Sequence, residues 1–472
     1  MDTLIRLYFI DGVSLVDEGV DGVSVQAPPH TYRAPLSLSG TTAGLRSALD
    51  RLSGEGASLQ ALATEVLESD GPAGGAKLMQ TIGTLERHAL LGRRLVVDGA
   101  LLASIEPLSN YFRYDEQRVQ AGETYVLSRF AYCRNNNGRM VLESPLGHAV
   151  IGLHATTAHS AVHLLTRPCD SVQMAKRIAG LGEAGAAHFM SFLANAEALV
   201  PSDPQTGSPE DEDPVRAPWE FHDLVFHTRS RLGRHSNPFG GTYAYEGKFD
   251  SLPAIKPPMS DEIVQLYKPD LERLADEDER FTRVLETRRS LREQGDPPIN
   301  DRQLGEFLYR SARVQQLVES SGVSFRPYPA GGALHELEIY PLVNSCDGLS
   351  PGLYHYNPLE HHLCRIREPD RILRTLSLMA ARTVSLDHPP QVVLIITARF
   401  QRVQLKYQTV SYSLIMKNVG GLFQTMYLVA IAMGLAPCAL GGGDSDLFAS
   451  AAGLDYLAET SVGEFVLGSS RG

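Results

Sequence analysis

Apolar residues along this chain switch between the alternation of strands and the three-to-four spacing of helices. In the second half, Leu337 to Leu342 alternates and predicts a strand. Gln391 to Ala398 is almost wholly apolar, with two valines and two isoleucines between Pro389-Pro390 and Arg399. Such a run predicts a central strand buried on both faces. Leu353 to Ile366 reads as a hairpin around the turn Asn357-Pro358, Asp270 to Thr287 and Val410 to Met433 are helical, and Glu464 to Gly468 is a last strand. Gly420-Gly421 interrupts the apolar face of the second helix, where propensity disfavours it, so a backbone is expected to pack close there. Arg326 to Ala333 and Pro437 to Gly443 are loops of small residues.

The first half carries a weaker, repeated pattern. Val23 to Pro28 and Met140 to Pro145 are similar stretches ending in proline, 117 residues apart. Each leads to an extended stretch and then to helical spacing, Ala43 to Leu52 and Ala158 to Leu165. Two more helical patterns follow each time, Leu59 to Leu67 with Ala76 to Leu91, and Ser171 to Leu181 with Ala184 to Ala198. Strands, helix, turn and helix in that order predict a winged helix-turn-helix, so residues 1–110 and 111–201 are expected to be tandem modules of that type. Residues 202–270 would connect them to a domain at 271–472. Pro201 to Pro214, with four prolines and an acidic run, predicts a solvated linker. Arg229 to Tyr245 reads as a loop that either packs between domains or faces a substrate.

A chain of 472 residues exceeds one core, and 43% hydrophobic with 21% charged residues is a globular composition. Residues 1–200 hold 16 Lys and Arg against 20 Asp and Glu. Winged helices of this charge lack the basic face that phosphates require, which argues against a nucleic-acid partner. No uncharged apolar stretch approaches ~18 residues, and the start Met1-Asp2-Thr3-Leu4-Ile5-Arg6 is unlike an export signal. A cytoplasmic protein without a membrane partner is expected. Cys133, Cys169, Cys346, Cys364 and Cys438 have no C-x-x-C spacing and read as reduced thiols. His361-His362 would point to opposite faces of a strand, and His222 and His227 are five apart, so no metal site is predicted. The hairpin holding His361 is expected to be solvated.

Chemistry enters with three short stretches. Arg288-Arg289-Ser290 sets two guanidiniums beside a hydroxyl, which suits either a charged helix end or a phosphate. Pro329-Ala330-Gly331-Gly332-Ala333 exposes backbone to a flat ligand, with nothing larger than a methyl from Ala330 onward. Lys406-Tyr407 follows the buried strand and reads as an acid-base pair. With Pro351 to Tyr356 and Ala436 to Gly441 added in this order, the chain from about Glu286 onward resembles the nitroreductase-like flavoenzymes. Within them it resembles the SagB-type (thiazole/oxazole) peptide dehydrogenases, including the cyanobactin azoline oxidases.

The resemblance implies an α+β fold, FMN bound at a homodimer interface, and oxidation of azoline rings in a ribosomal peptide to azoles. It assigns Arg288, Arg289, Ser290 and Arg292 to the phosphate and ribityl chain, and Pro329, Ala330 and Gly331 to the flavin. Leu440, Gly441 and Gly442 would close over the flavin, and Lys406 and Tyr407 would be the catalytic pair. Many relatives have serine where this chain has Ala330, so only backbone contact is expected there. Arg471 is either a further phosphate partner, as a basic C-terminal residue is in related flavoproteins, or part of a frayed end. The winged-helix modules would be peptide clamps that take up an azoline-containing precursor peptide as an added strand, or else spacers or dimer elements. Other peptide-modifying enzymes are expected partners.

Converting an azoline to an azole removes a hydride and a proton. Lys406 would take the proton if a partly buried cationic neighbourhood, with Arg399 and Arg402, lowers its pKa, and Tyr407 would relay it or orient the ring. Dioxygen is the expected electron acceptor. A nicotinamide-driven nitro- or quinone reductase would share the flavin residues without needing Lys406 or the first half. A non-catalytic peptide binder would have no use for the intact arginines and glycines.

Overall fold

In the first half of the chain, alternation becomes a six-stranded antiparallel sheet. Its order is Thr3–Phe9, Leu91–Val97, Ala100–Pro107, Ala149–Leu153, Arg139–Glu143 and Tyr132–Asn136. The computed structural model describes residues 2–19, 22–28, 34–202 and 208–471, and it divides into two units, Met1–Phe239 and Gly240–Gly472. In the first unit Leu7 and Phe9 pack with helices Ala43–Ser53 and Leu59–Arg87. Leu95, Ile105, Leu142 and Ile151 form a second core with helix Gly182–Asn195. Residues 1–110 and 111–201 share this six-stranded sheet, because Ala100–Pro107 pairs with Ala149–Leu153, from Pro107↔Ala149 to Ala103↔Leu153.

Thr42, Ser58 and Asp170 cap the helices that begin at Ala43, Leu59 and Ser171, each side chain accepting from an N–H that the helix leaves unpaired. The stretches Leu59 to Leu67 and Ala76 to Leu91 are one element, Leu59–Arg87, bent where Gly71 (φ 70°) precedes Pro72. Glycine tolerates the left-handed backbone that lets the chain turn and resume. Part of the expected linker, residues 203–207, lies outside the described residues. The rest is not simply solvated: Pro209–Glu212 is a short helix in which Glu210 is 1% exposed. The Glu210 carboxylate accepts from Ser128 Oγ at 2.8 Å and from the Arg129 N–H at 3.2 Å.

The second unit is built on seven antiparallel strands. Their order is Ile263–Gln265, His362–Arg367, Gly352–Asn357, Leu337–Val343, Val392–Arg399, Glu459–Ser469 and Leu435–Ala439. Leu337–Val343 and Val392–Arg399 are buried along their whole length. Helices Asp301–Ala312 and Ser411–Ala432 cover one face, and Arg371–Thr383 and Ser445–Ala452 the other. The fold is a mixture of helix and sheet of the expected kind.

Three local expectations are corrected. Asp270 to Thr287 is two short helices, Leu271–Glu277 and Phe281–Thr287. Pro437 to Ala439 belongs to the outer strand of the sheet, so the loop begins at Leu440. The hairpin forms but is not solvated: Ile263–Gln265 pairs beside its second strand, with Gln265 opposite His362, and His361 and His362 are both buried. Helix Ser411–Ala432 is long and apolar enough to cross a membrane by length and composition alone, although Ile415, Val419, Leu422 and Met426 are part of the core. Among the described residues no group of three or more His, Cys, Asp and Glu could hold a metal.

Candidate active site

Phe281–Thr287 ends at Arg288, and the chain then runs beside Leu435–Ala439, with the Leu291 N–H donating to the Pro437 carbonyl at 2.8 Å. That contact brings the arginine-serine cluster next to the loop that starts at Leu440. Tyr427 Oη accepts from the Ala439 N–H at 2.8 Å and lies 2.8 Å from Ser290 Oγ. The Arg288 guanidinium sits 5.2 Å above the Tyr427 ring, an attractive cation–π placement. Arg289 and Arg292 are exposed. A Cβ on Gly441 or Gly442 would meet nothing within 4 Å. Leu440 and Gly442 line a cavity of about 400 Å³ with Leu342, Val393, Ile395 and Phe448, whose walls belong to the core on the sheet face opposite Ser411–Ala432. Arg471 Nη1 pairs with Glu293 at 2.7 Å and its Nε donates to the Gln294 carbonyl at 3.1 Å.

A second corner forms nine residues earlier on the same helix. Asn418 Oδ1 accepts from the Gly331 N–H at 3.1 Å, and its Nδ2 donates to Glu336 Oε1 at 2.9 Å. A Cβ on Gly421 would stand 3.3 Å from Pro329 Cγ, which is the close packing that Gly420-Gly421 foretold, while Gly420 faces open space. Between Asn418 and Tyr427 the helix rises about 13 Å. Ala330 is extended and Gly332 is left-handed at φ 64°. A Cβ on Gly332 would stand 2.6 Å from Tyr407 Oη and 2.9 Å from Lys406 Nζ, so the left-handed turn brings bare backbone against the ends of the Lys-Tyr pair. Tyr407–Gln408 pairs with Gly240–Gly241, and the Tyr243 N–H donates to the Lys406 carbonyl at 3.2 Å. Lys406 Nζ lies 5.4 Å from the centre of the Tyr407 ring and 5.7 Å from that of Tyr243.

Arg399 and Arg402, expected beside Lys406, are committed elsewhere. Arg399 Nη1 lies 3.4 Å from Glu338, which His355 Nε2 approaches at 3.1 Å. Burial alone would raise the Glu338 carboxyl, but His355, Arg326 and Arg399 together hold it below its ordinary value. Arg402 donates to the carbonyls of Leu334 at 2.6 Å, Leu252 at 2.7 Å and Gly322 at 2.9 Å. Burial, with the charges of Arg399 and Arg326, brings its pKa down to about 10. Arg402 is therefore a brace that ties three backbone segments together. Burial raises the Glu336 carboxyl, whose Oε2 has no hydrogen-bond partner among the described residues. Burial, then Arg326 and Arg402, lower His335 to about 3.

Residues 285–469 match the nitroreductase family model, and residues 125–236 match that of the cyanobactin oxidase ThcOx. A protein of Methanocaldococcus jannaschii that carries the nitroreductase name is 31% identical over 180 residues, 38% of this chain and 85% of its own length. The chain belongs to the nitroreductase family. It is an oxidoreductase, and the expected kinship with the cyanobactin oxidases is borne out by the ThcOx match. The microcin B17-processing protein McbC of Escherichia coli is 30% identical over 117 residues, 23% of this chain and 42% of McbC. The trifolitoxin-processing protein TfxB of Rhizobium leguminosarum bv. trifolii is 29% identical over 144 residues, 29% of this chain and 38% of TfxB. The chain thus spans less than half the length of these two relatives. In this nitroreductase-family member, sequence reasoning passed over Asn418, Tyr427 and Tyr243. Of these, Asn418 left a signal, as a polar residue in the stripe Ile415, Val419, Leu422 and Met426.

Proposed function

We propose that this nitroreductase-family member oxidises azoline rings in a ribosomally made peptide to azoles, with FMN as its cofactor. The observation that carries the reading is the meeting of Gly332 with Lys406 and Tyr407, which sets an amine and a phenol against bare backbone. Similarity to proteins that process microcin B17 and trifolitoxin supports it, as does the ThcOx match in the first unit.

The donor set fits FMN. Arg288, Arg289, Arg292 and Ser290 would hold the phosphate end, and the backbone of Pro329, Ala330 and Gly331 would line the ring. Leu440, Gly441 and Gly442 would close over it, with the open space around both glycines as room. The rise of about 13 Å between the two corners suits an elongated ligand with one anionic and one flat end. Arg471 would join the phosphate only by leaving Glu293. When bound, FMN supplies the two-electron acceptor. Lys406 would take the proton that leaves the azoline carbon, while Tyr407 would fix the position of the Lys406 side chain. Dioxygen is the final acceptor.

A homodimer completes this reading. Only 39% of the most apolar window of Ser411–Ala432 is buried within one chain. A second copy on that face would bury above ~2,000 Å², as obligate pairs do. The first unit would act as a winged-helix peptide clamp, with the outer strand Tyr132–Asn136 open to an added strand. Other peptide-modifying enzymes would work beside it in the cytoplasm.

Incubation with an azoline peptide in air is expected to lower its mass by about 2 Da per ring, and anaerobic mixing to bleach the flavin. Bleaching by NAD(P)H with an unchanged azoline peptide would point to a small-molecule reductase. A purified protein without flavin would be a binder.

A further inference from the structure

Gly240 and the residues after it hold the Lys-Tyr pair in place. Gly240–Gly241 pairs with Tyr407–Gln408, Thr242 Oγ1 donates to Gln408 Oε1 at 2.8 Å, and the Tyr243 N–H binds the carbonyl of Lys406 itself. Tyr243 has φ 51°. A bulky side chain is unfavourable in the left-handed region, and such a conformation persists only where surrounding contacts impose it. The outcome is a tyrosine ring that is 49% exposed yet borders the Lys406 amine. Gly241 lies beside both tyrosine rings: a Cβ there would be 3.7 Å from Tyr407 Cε1 and 3.8 Å from Tyr243 Cε2.

The geometry points to Tyr243 as a substrate-positioning residue, whose ring is an aromatic wall beside Lys406 against which the flat azoline ring packs. The inference rests on the azoline reading above. A flat, unsaturated heterocycle gains contact on a phenol face, and gains more as it becomes aromatic. The Tyr243 hydroxyl is not needed for that contact. Its backbone N–H, which holds Lys406, is present in any variant but proline, so side-chain replacement separates positioning from support of the pair.

The test uses the full-length flavoprotein and its Tyr243→Phe and Tyr243→Ala variants. Three readouts apply: steady-state oxidation of an azoline peptide, anaerobic bleaching, and fluorescence anisotropy of a labelled azole-containing product peptide. Tyr243→Ala is expected to raise KM and the peptide Kd about three- to tenfold, with the limiting bleaching rate, FMN content and dithionite reduction unchanged. Tyr243→Phe is expected to match the wild type. An unchanged KM and Kd in Tyr243→Ala, with an active wild type, overturns the inference alone. Equal loss in both variants, or loss of FMN, also overturns it, because the role would then be structural. A wild type that does not bleach with the azoline peptide overturns the azoline reading and this inference together.

Discussion

A methyl group at Gly332 would meet the ends of Lys406 and Tyr407, which can swing away, and would have to adopt φ 64°. Gly332→Ala should therefore destabilise by only about 1 kcal/mol, while displacing the pair and lowering kcat about tenfold or more. Thermal melts alongside turnover separate the two effects. Lys406→Ala should keep FMN and lose at least ~100-fold in the anaerobic bleaching rate, with Tyr407→Phe falling less; wild-type rates in both variants would remove the pair from catalysis. His361 makes a different prediction. Its Nε2 faces the Tyr267 carbonyl and its Nδ1 the Tyr356 hydroxyl, each at 2.9 Å, and burial lowers its pKa from 6.5 to about 4. The unfolded chain binds its proton first, so this contribution to stability is whole above pH 6.5 and is lost as pH falls toward 4. His335, lowered to about 3, extends the loss further. Tm should fall across that window, and His361→Gln should flatten the slope; equal slopes would contradict the assignment. Lys406 and Tyr407 were legible in the sequence only through the motifs around them. Tyr243 was not, because its approach to Lys406 depends on a two-residue ladder between segments more than 160 residues apart.

Helix Ser411–Ala432 organises both corners, through Asn418 at one and Tyr427 at the other. If Arg288 and Arg289 grip a phosphate there, each alanine variant should weaken FMN by about 1.5–3 kcal/mol. Titration of apoprotein by flavin fluorescence checks this, and unchanged affinity in both variants would refute the phosphate assignment. Val392–Arg399 was read almost to the residue because burial on both faces forces an unbroken apolar run, whereas Leu337–Val343 was read from its alternation, although it too is buried throughout, Glu338 included. The errors have local causes. Gly71-Pro72 has the look of a helix end but is a bend in Leu59–Arg87. Pro437 has the look of a loop but lies in an outer strand, where a missing N–H costs no ladder bond. The edge strand beside His362 is Ile263–Gln265, and the carbonyl facing His361 is that of Tyr267, both almost a hundred residues away, which no local pattern reveals.

Each of the two units has hydrophobic cores of its own, and the azoline reading gives them separate tasks. A chain of residues 240–472 should retain FMN and oxidise a short azoline peptide with an unchanged KM. Its KM for the full precursor should rise at least about tenfold; equal KM values for the precursor with and without the first unit would make that unit a spacer. Sequence periodicity exposed the helices of the first unit but not the six-stranded sheet that its two halves share, since pairing between Ala100–Pro107 and Ala149–Leu153 leaves no mark in either strand alone. That ladder also imposes a timetable. The strand ending at Pro107 leaves the ribosome about forty residues before its partner begins at Ala149, a wait of a few seconds at ordinary elongation rates. Until then a nascent edge stands open to any other extended chain. Slow codons between the two strands would prolong that exposure, and fast ones would shorten it.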